Sequence, residues 1–310
     1  MAGYSDAAFR SICTDWGAFL CFTEMVSAEA LDRGSVRTLS LLQRAENERF
    51  LGVQIFASDP LSAVRALPSI LPRQPDLIDL NCGCSVPKIL KSGCGAALLR
   101  EPARVAALVK AMREHSDVPV SVKIRSGWDS GSINFLEVAG RAEEAGASLV
   151  CLHPRTRAQG FSGEACLAHL KELKRRSRTL VFGSGDLLSA ASALHMVRET
   201  GCDGVMLARG ALGNPFIFTE TRRLFAGEPA PPAPTVQERL ATALRQLERA
   251  VTFKGEKLAC REMRKQFCAY LRGMPGAARV RERVVRASTL GEYRTLVHDA
   301  LEGGRTRPVP

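Results

Sequence analysis

Residues 118–157 read VPVSVKIRSGWDSGSINFLEVAGRAEEAGASLVCLHPRTR. The runs at 120–124 and 149–153 are short, β-branched and apolar on both faces rather than alternating. That is the pattern of strands in a parallel sheet covered by helices. Between them, 135–145 carries its apolar residues at helical spacing, so the stretch is a complete strand–helix–strand unit. Polar side chains close each run: Lys123 and Arg125 the first, His153 and Arg155 the second. In such sheets ligands bind at the carboxyl ends of the strands.

The same unit recurs on either side. Further strand-like runs lie at 19–26, 51–56, 77–83, 180–182 and 205–208, and helical stretches at 102–115 and 189–200. Seven runs with an eighth at the extreme N-terminus predict an α/β fold, a (β/α)8 TIM barrel. A doubly wound open sheet is disfavoured, because no Gly-rich dinucleotide fingerprint follows the first run. Each strand end again carries polar or small groups: Gln54; Asn81 and Cys84; Ser184, Gly185 and Asp186; Ala208 and Arg209.

The barrel is expected over 1–227. A Pro-rich linker follows at 228–234, then a small all-helical domain at 235–303 and a disordered tail at 304–310. Thr235 with Glu238, and Thr289 with Glu292, form capping boxes that open helices. Met263, Phe267 and Leu271 make an apolar stripe, while Lys257, Arg261, Arg264 and Lys265 recur on another side of the same helix. Residues 235–310 hold 16 basic and 8 acidic side chains, so this quarter carries eight of the chain's eleven excess positive charges. That asymmetry points to a polyanion such as nucleic acid. No apolar run is long enough to span a bilayer and no secretory leader is visible, so a cytoplasmic protein without membrane contact is expected. Ten cysteines without a Cys-x-x-Cys pair suggest reduced thiols and no metal site.

Several strand-end groups suit a flavin. The Gln54 amide matches the edge of a flavin pyrimidine, and a lysine at position 123 offers positive charge to a reduced flavin. The small residues at 184–186 and 208–209 let backbone N–H groups approach a phosphate, with 183–186 expected to open a helix. His153, Arg155 and Arg157 suit phosphate of a flavin or of RNA. Cys82, Cys84 and Cys94 all lie in a Gly-rich loop where a thiol can serve as nucleophile or acid, and the residues alone do not choose among them.

Taken together, Met1-Ala2-Gly3 with Asp6 and Phe9-Arg10, Thr23-Glu24-Met25, Val53-Gln54-Ile55, the 79–84 stretch, Val122-Lys123-Ile124-Arg125, HPRTRAQGF at 153–161, the 183–186 turn, ARGALGNPFIF at 208–218, REMRK at 261–265 and the 273–277 stretch resemble the tRNA-dihydrouridine synthase family over nearly the whole chain. The resemblance implies an FMN-bound barrel followed by a helical tRNA-binding domain, with NADPH as reductant of a tRNA uridine. It implies that Met1, Ala2, Gln54, Lys123, His153, Ser184, Gly185, Asp186, Ala208 and Arg209 hold FMN. It picks Cys84 as the catalytic acid, and Asn81, Arg125, Arg155, Arg157, Lys257, Arg261, Arg264 and Lys265 as contacts to substrate or tRNA. Ser85 stands where the family usually has Pro. In the family Met-Ala-Gly ends the first barrel strand, so that strand is expected to be truncated here and the chain to be an N-terminally shortened form. Cover of the gap by residues 4–10 is disfavoured by their polar content.

Two other readings compete. An FMN-dependent oxidoreductase of free pyrimidines, like dihydroorotate dehydrogenase, shares the barrel and the cysteine but has no use for a basic helical appendage. A catalytically impaired tRNA-binding protein shares the charge and needs no flavin. The favoured expectation is an enzyme that binds tRNA as a monomer.

Overall fold

The computed structural model describes the backbone of residues 1–305 and the side chains of residues 1–302. One parallel sheet contains β1 (Leu20–Phe22), β2 (Val26–Ser27), β3 (Phe50–Phe56), β4 (Leu77–Cys82), β5 (Val120–Arg125), β6 (Leu149–His153), β7 (Leu180–Gly183) and β8 (Gly204–Val205). Both β1 and β2 pair with β3, at Leu20↔Phe50 and Val26↔Ile55, so they are two segments of one strand position. From β3 to β8 the strands neighbour one another in chain order. The seven runs read from the sequence thus occupy seven barrel positions.

Helices α1 (Ala7–Asp15), α2 (Pro60–Ile70), α3 (Pro102–Glu114), α4 (Phe135–Glu144), α5 (Leu167–Arg176), α6 (Ala190–Thr200) and α7 (Ile217–Phe225) accompany the sheet. The core forms where the apolar faces of these helices meet the strands. Ile55, Leu80, Val122 and Leu152 are fully buried with Val105, Leu108 and Val138 of α3 and α4. Burial of each such side chain contributes roughly 1.5–3 kcal/mol.

Among the described residues β8 and β1 do not pair. Phe9 and Cys13 of α1, Ala18, Cys21, and Ala211 and Ile217 beyond β8 form a buried cluster joining the two sides, with Met1 and Leu207 packed on it. Residues 4–10 therefore do take part there, against expectation. Their polarity is accommodated because Arg10, buried, donates to Glu48 Oε1 at 2.6 Å and to the Ser5 carbonyl at 2.8 Å.

Residues 228–234 have neither helix nor strand. Beyond them lie α8 (Val236–Lys254), α9 (Glu256–Tyr270), α10 (Ala277–Val284) and α11 (Leu290–Arg305). Leu240, Leu247, Met263, Phe267 and Tyr293 build a second core. Both capping boxes form: Thr235 Oγ1 accepts from Glu238 N at 3.2 Å, and Thr289 Oγ1 from Glu292 N at 3.2 Å. Helix α8 docks on α1 through Lys254–Asp6 at 2.6 Å and Arg249–Asp15 at 2.7 Å. Helix α11 continues through Arg305, two residues into the stretch expected to be a disordered tail, and residues 306–310 lie outside the described ones. No described helix is long and apolar enough to cross a membrane.

Candidate active site

The carboxyl ends of the strands surround a cavity of about 420 Å³. Strand pleating explains who faces it, because alternate side chains of β5 point to opposite sides. Lys123 and Arg125 line the cavity, while Val122 and Ile124 are buried in the core. Gln54 reaches it from β3, Asn81 and Cys84 from β4 and its following loop, and His153 from β6. Ser184, Gly185 and Asp186 follow β7, Ala208 and Arg209 follow β8, and Met1 and Ala2 close another side. All thirteen of these residues singled out in the sequence meet at one place.

Strand register builds the floor. Gln54 pairs with Asp79 and Asp79 with Ser121 across β3, β4 and β5. Gln54 Nε2 accordingly donates to Asp79 Oδ2 at 2.7 Å and Ser121 Oγ to Asp79 Oδ1 at 2.6 Å. Asn81 Nδ2 donates to Gln54 Oε1 at 2.9 Å. The Gln54 amide is thus already engaged on both sides, which leaves one N–H and one lone pair for a ligand. Burial lifts the Asp79 carboxyl to about 6, against hydrogen bonds from Ser121 and Gln54 and the charge of Lys123, which pull it down. Asp79 was missed as a site residue. Its signal is a carboxylate two positions before Asn81 in a strand whose other residues are apolar.

Lys123 makes no hydrogen bond or ion pair among the described residues, and burial lowers its pKa. An ammonium in that state calls for an anionic or electron-rich ligand. His153 is held down to about 2, first by burial and then by the charges of Lys123, Arg125 and Arg155. Arg155 Nη1 lies 3.3 Å from His153 Nε2. Because a guanidinium only donates, Nε2 is the acceptor and Nδ1 carries the proton.

The 184–186 segment is a turn and not the helix opening expected, since α6 begins at Ala190 behind the Ser189 cap. Gly185 has φ +108°, and a Cβ there would lie 2.7 Å from the His153 ring. Asp186 has φ +53°. Among the described residues the backbone N–H groups of Gly185, Asp186 and Arg209 make no hydrogen bond. Unpaired N–H groups in a narrow glycine turn fit a phosphate.

The loop after β4 is fixed by its backbone. Asn81 Oδ1 accepts from Cys84 N at 2.9 Å, the Cys84 carbonyl accepts from Ala96 N at 2.9 Å, and the Gly83 carbonyl from Arg125 Nε at 2.9 Å. Gly95, at φ +62°, is needed beside it, because a Cβ would fall 2.8 Å from the Cys84 carbonyl oxygen. Cys82 and Cys94 are buried, and burial raises both thiols; Cys84 alone of the three lines the cavity.

The basic residues divide. Arg125 also donates to the carbonyls of Thr156 and Gly160 at 3.0 and 2.9 Å, so it clamps the β4 and β6 loops together. Arg155 is buried and grips Asp186 through two bonds of 2.9 and 2.6 Å. Both arginines brace loops around the site, and Arg125 also lines the cavity. Arg157 lies outside the cavity, its guanidinium 4.4 Å from the Trp128 ring centre. Lys257, Arg261 and Lys265 are exposed on α9, with Lys265 Nζ 4.5 Å from the Tyr4 ring centre. Arg264 instead donates to the Ala287 carbonyl at 2.9 Å, beyond the end of α10. Phe161, 61% exposed, stands at the mouth with the Arg209 guanidinium 4.4 Å from its ring centre. It too was missed, although it ends the HPRTRAQGF stretch.

The neutral His153 gives a pH signature. Its folded pKa lies below the 6.5 of a free imidazole, so the unfolded chain gains a proton that the folded chain refuses. This stabilisation is complete above pH 6.5 and is lost as pH falls toward about 2. Asp79 has the opposite sign: its contribution is complete below 3.8 and is lost as pH rises through about 6. Urea unfolding at pH ~7 and ~5 should show His153→Gln losing about 2 kcal/mol less than the parent over that interval. Equal losses would contradict a buried neutral imidazole.

The family model for dihydrouridine synthase (Dus) matches residues 1–302. A probable tRNA-dihydrouridine synthase of Treponema pallidum is 43% identical over 310 residues, covering 97% of this chain and 91% of that protein. The tRNA-dihydrouridine synthase B of Pseudomonas aeruginosa is 36% identical over 285 residues, covering 91% and 85%. In fold alone, histamine dehydrogenase from Rhizobium sp. 4-9 aligns with a TM-score of 0.55 at 14% identity, over 85% of this chain and 46% of that one. With a family model spanning nearly every residue and relatives aligned along almost their whole length, the chain belongs to the dihydrouridine synthase family.

Proposed function

We propose that the protein reduces the 5,6 double bond of a uridine in tRNA to 5,6-dihydrouridine, with FMN held in the strand-end cavity and NADPH as the source of electrons. The observation that carries this reading is the juxtaposition in one cavity of a thiol, Cys84, and an unpaired ammonium, Lys123. The backbone N–H groups of Gly185, Asp186 and Arg209 would hold the FMN phosphate. Lys123, the free N–H of Gln54 and the Nδ1–H of His153 would face the flavin ring, with Met1 and Ala2 against it. When bound there and reduced by NADPH, FMN would supply the hydride for C6 of the uracil.

Cys84 Sγ–H gives C5 its proton, and the thiolate left behind is reprotonated at the solvent-facing mouth. The backbone bonds of Asn81, Ala96 and Arg125 keep that sulfur in place through the reaction. Asn81 orients the loop and Gln54 together. To reach the cavity the uridine must leave the folded RNA. The exposed Lys257, Arg261 and Lys265 of α9 bind tRNA phosphates from the helical region, the part of the chain with the largest positive excess. In this reading residues 1–227 are the catalytic domain, 228–234 the linker and 235–303 the tRNA-binding domain of a cytoplasmic monomer.

The test is cofactor uptake. Purified protein should retain or take up one FMN per chain, measured by absorbance near ~450 nm and by quenching of flavin fluorescence. Protein that remains colourless with excess FMN present would sink the flavin assignment.

A further inference from the structure

We propose that Arg100, Trp128 and Arg157 form a phosphate-binding groove on the cavity rim, which grips the tRNA strand beside the reacting uridine. This rests on tRNA being the substrate. A groove of about 550 Å³ lies between the segments that follow β4 and β5, lined by Arg100 and Trp128 among others, and Arg157 from the segment after β6 packs on its Trp128 ring. Arg157 Cζ is 4.4 Å and Arg100 Cζ 5.2 Å from the centre of the Trp128 ring. Neither guanidinium makes a hydrogen bond or ion pair among the described residues, whereas neighbouring Arg104 pairs with Glu101 at 2.7 Å. The one carboxylate lining the groove, Asp129, accepts instead from Gly131 N at 3.0 Å and Ser132 Oγ at 2.8 Å. One aromatic ring therefore holds two guanidiniums that make no ion pair among the described residues. An anion would give each a charged partner, and the guanidinium fork matches phosphate oxygens.

Hydrogen bonds hold the frame and tie it to the cavity. Arg157 N donates to the Gly127 carbonyl and Ala158 N to the Trp128 carbonyl, each at 2.9 Å. Asn134 Nδ2 donates to the Leu99 carbonyl at 2.7 Å. Arg125 then ties the Arg157 loop to Gly83, the residue before Cys84. A strand whose uridine enters the cavity has its neighbouring phosphates at this rim. Sheet order puts β4–β6 across the mouth from Tyr4 and its Lys265 cation. The two cationic aromatic sites thus flank the opening, and the RNA is held on both sides of it.

Direct binding of tRNA to the FMN-loaded protein, by filter retention across a salt series, tests the groove. Each phosphate contact contributes a log–log salt slope of about 0.7–0.9. Arg100→Gln/Arg157→Gln should therefore lower the slope by about 1.4–1.8 and raise Kd roughly 15- to 30-fold at ~0.15 M salt. Arg100→Lys/Arg157→Lys keeps both charges and should keep the parent slope. An unchanged slope in the glutamine pair overturns the proposal. So does a lysine pair as defective as the glutamine pair, which would make the effect structural. A shift in KM for NADPH with tRNA binding unmoved would assign the groove to the reductant's phosphate, also against the proposal. Because binding is read without turnover, a protein that binds tRNA through this groove but forms no dihydrouridine would refute the proposed activity and leave the groove standing.

Discussion

Cys84→Ala should lose about 10²–10⁴-fold in dihydrouridine formation, the usual contribution of a general acid, while still binding FMN and oxidising NADPH. The separation is expected because the loop is held by backbone groups that alanine retains: the Cys84 N–H on Asn81 Oδ1 and the Cys84 carbonyl on Ala96 N. The thiol itself makes no hydrogen bond among the described residues, so its removal should leave the fold and the cavity in place. Cys94→Ala should be mild, since that sulfur is buried and makes one weak contact to the Ser92 carbonyl at 3.6 Å. Nucleoside analysis of tRNA after timed incubation gives the rates. A dead Cys94→Ala beside an active Cys84→Ala would reverse the assignment.

Lys123→Met should slow dihydrouridine formation by about 10²–10³-fold and weaken FMN binding, without lowering the melting temperature of the FMN-free protein. Preorganised charge in a water-poor site contributes on that scale, because it needs no rearrangement when negative charge develops on the ligand. The thermal expectation follows from the lysine's isolation. It is without a hydrogen bond or ion pair, and burial lowers its pKa. A half-buried ammonium without an ion pair costs stability, and methionine of similar length removes the charge without leaving a cavity. Activity and stability should therefore move independently, as at other sites where function requires a strained charge. A variant that melts lower yet keeps its rate would make Lys123 a structural residue.

The barrel was legible because buried parallel strands are continuous apolar runs and their polar residues collect at one end. What the sequence could not show was the partner of each polar group. The run at 19–26 reads as one strand, yet it splits into β1 and β2, because Thr23 Oγ1 takes the Gln54 N–H at 3.1 Å in place of a backbone acceptor. Arg125 and Arg155 read as ligand contacts at strand ends, and the sequence does not show their protein acceptors, which lie up to 35 residues away on loops whose course is set by the fold. Asp186, read as a flavin contact, places its carboxylate on Arg155 and leaves its backbone N–H for a ligand. On α9, helical spacing grouped Arg264 with Lys257, Arg261 and Lys265, and only the position of α10 shows that Arg264 is engaged there. Asp79 stayed hidden because its importance lies in cross-strand register with Gln54 and Ser121.

The most direct measurement of the central claim is a single turnover. FMN-loaded protein, reduced by one equivalent of NADPH without oxygen, is mixed with tRNA lacking dihydrouridine while flavin absorbance and nucleoside masses are followed together. One dihydrouridine should form for each flavin reoxidised, and both should fail to appear when the tRNA is withheld. Reduced flavin that persists in the presence of tRNA, with no dihydrouridine formed, would contradict it.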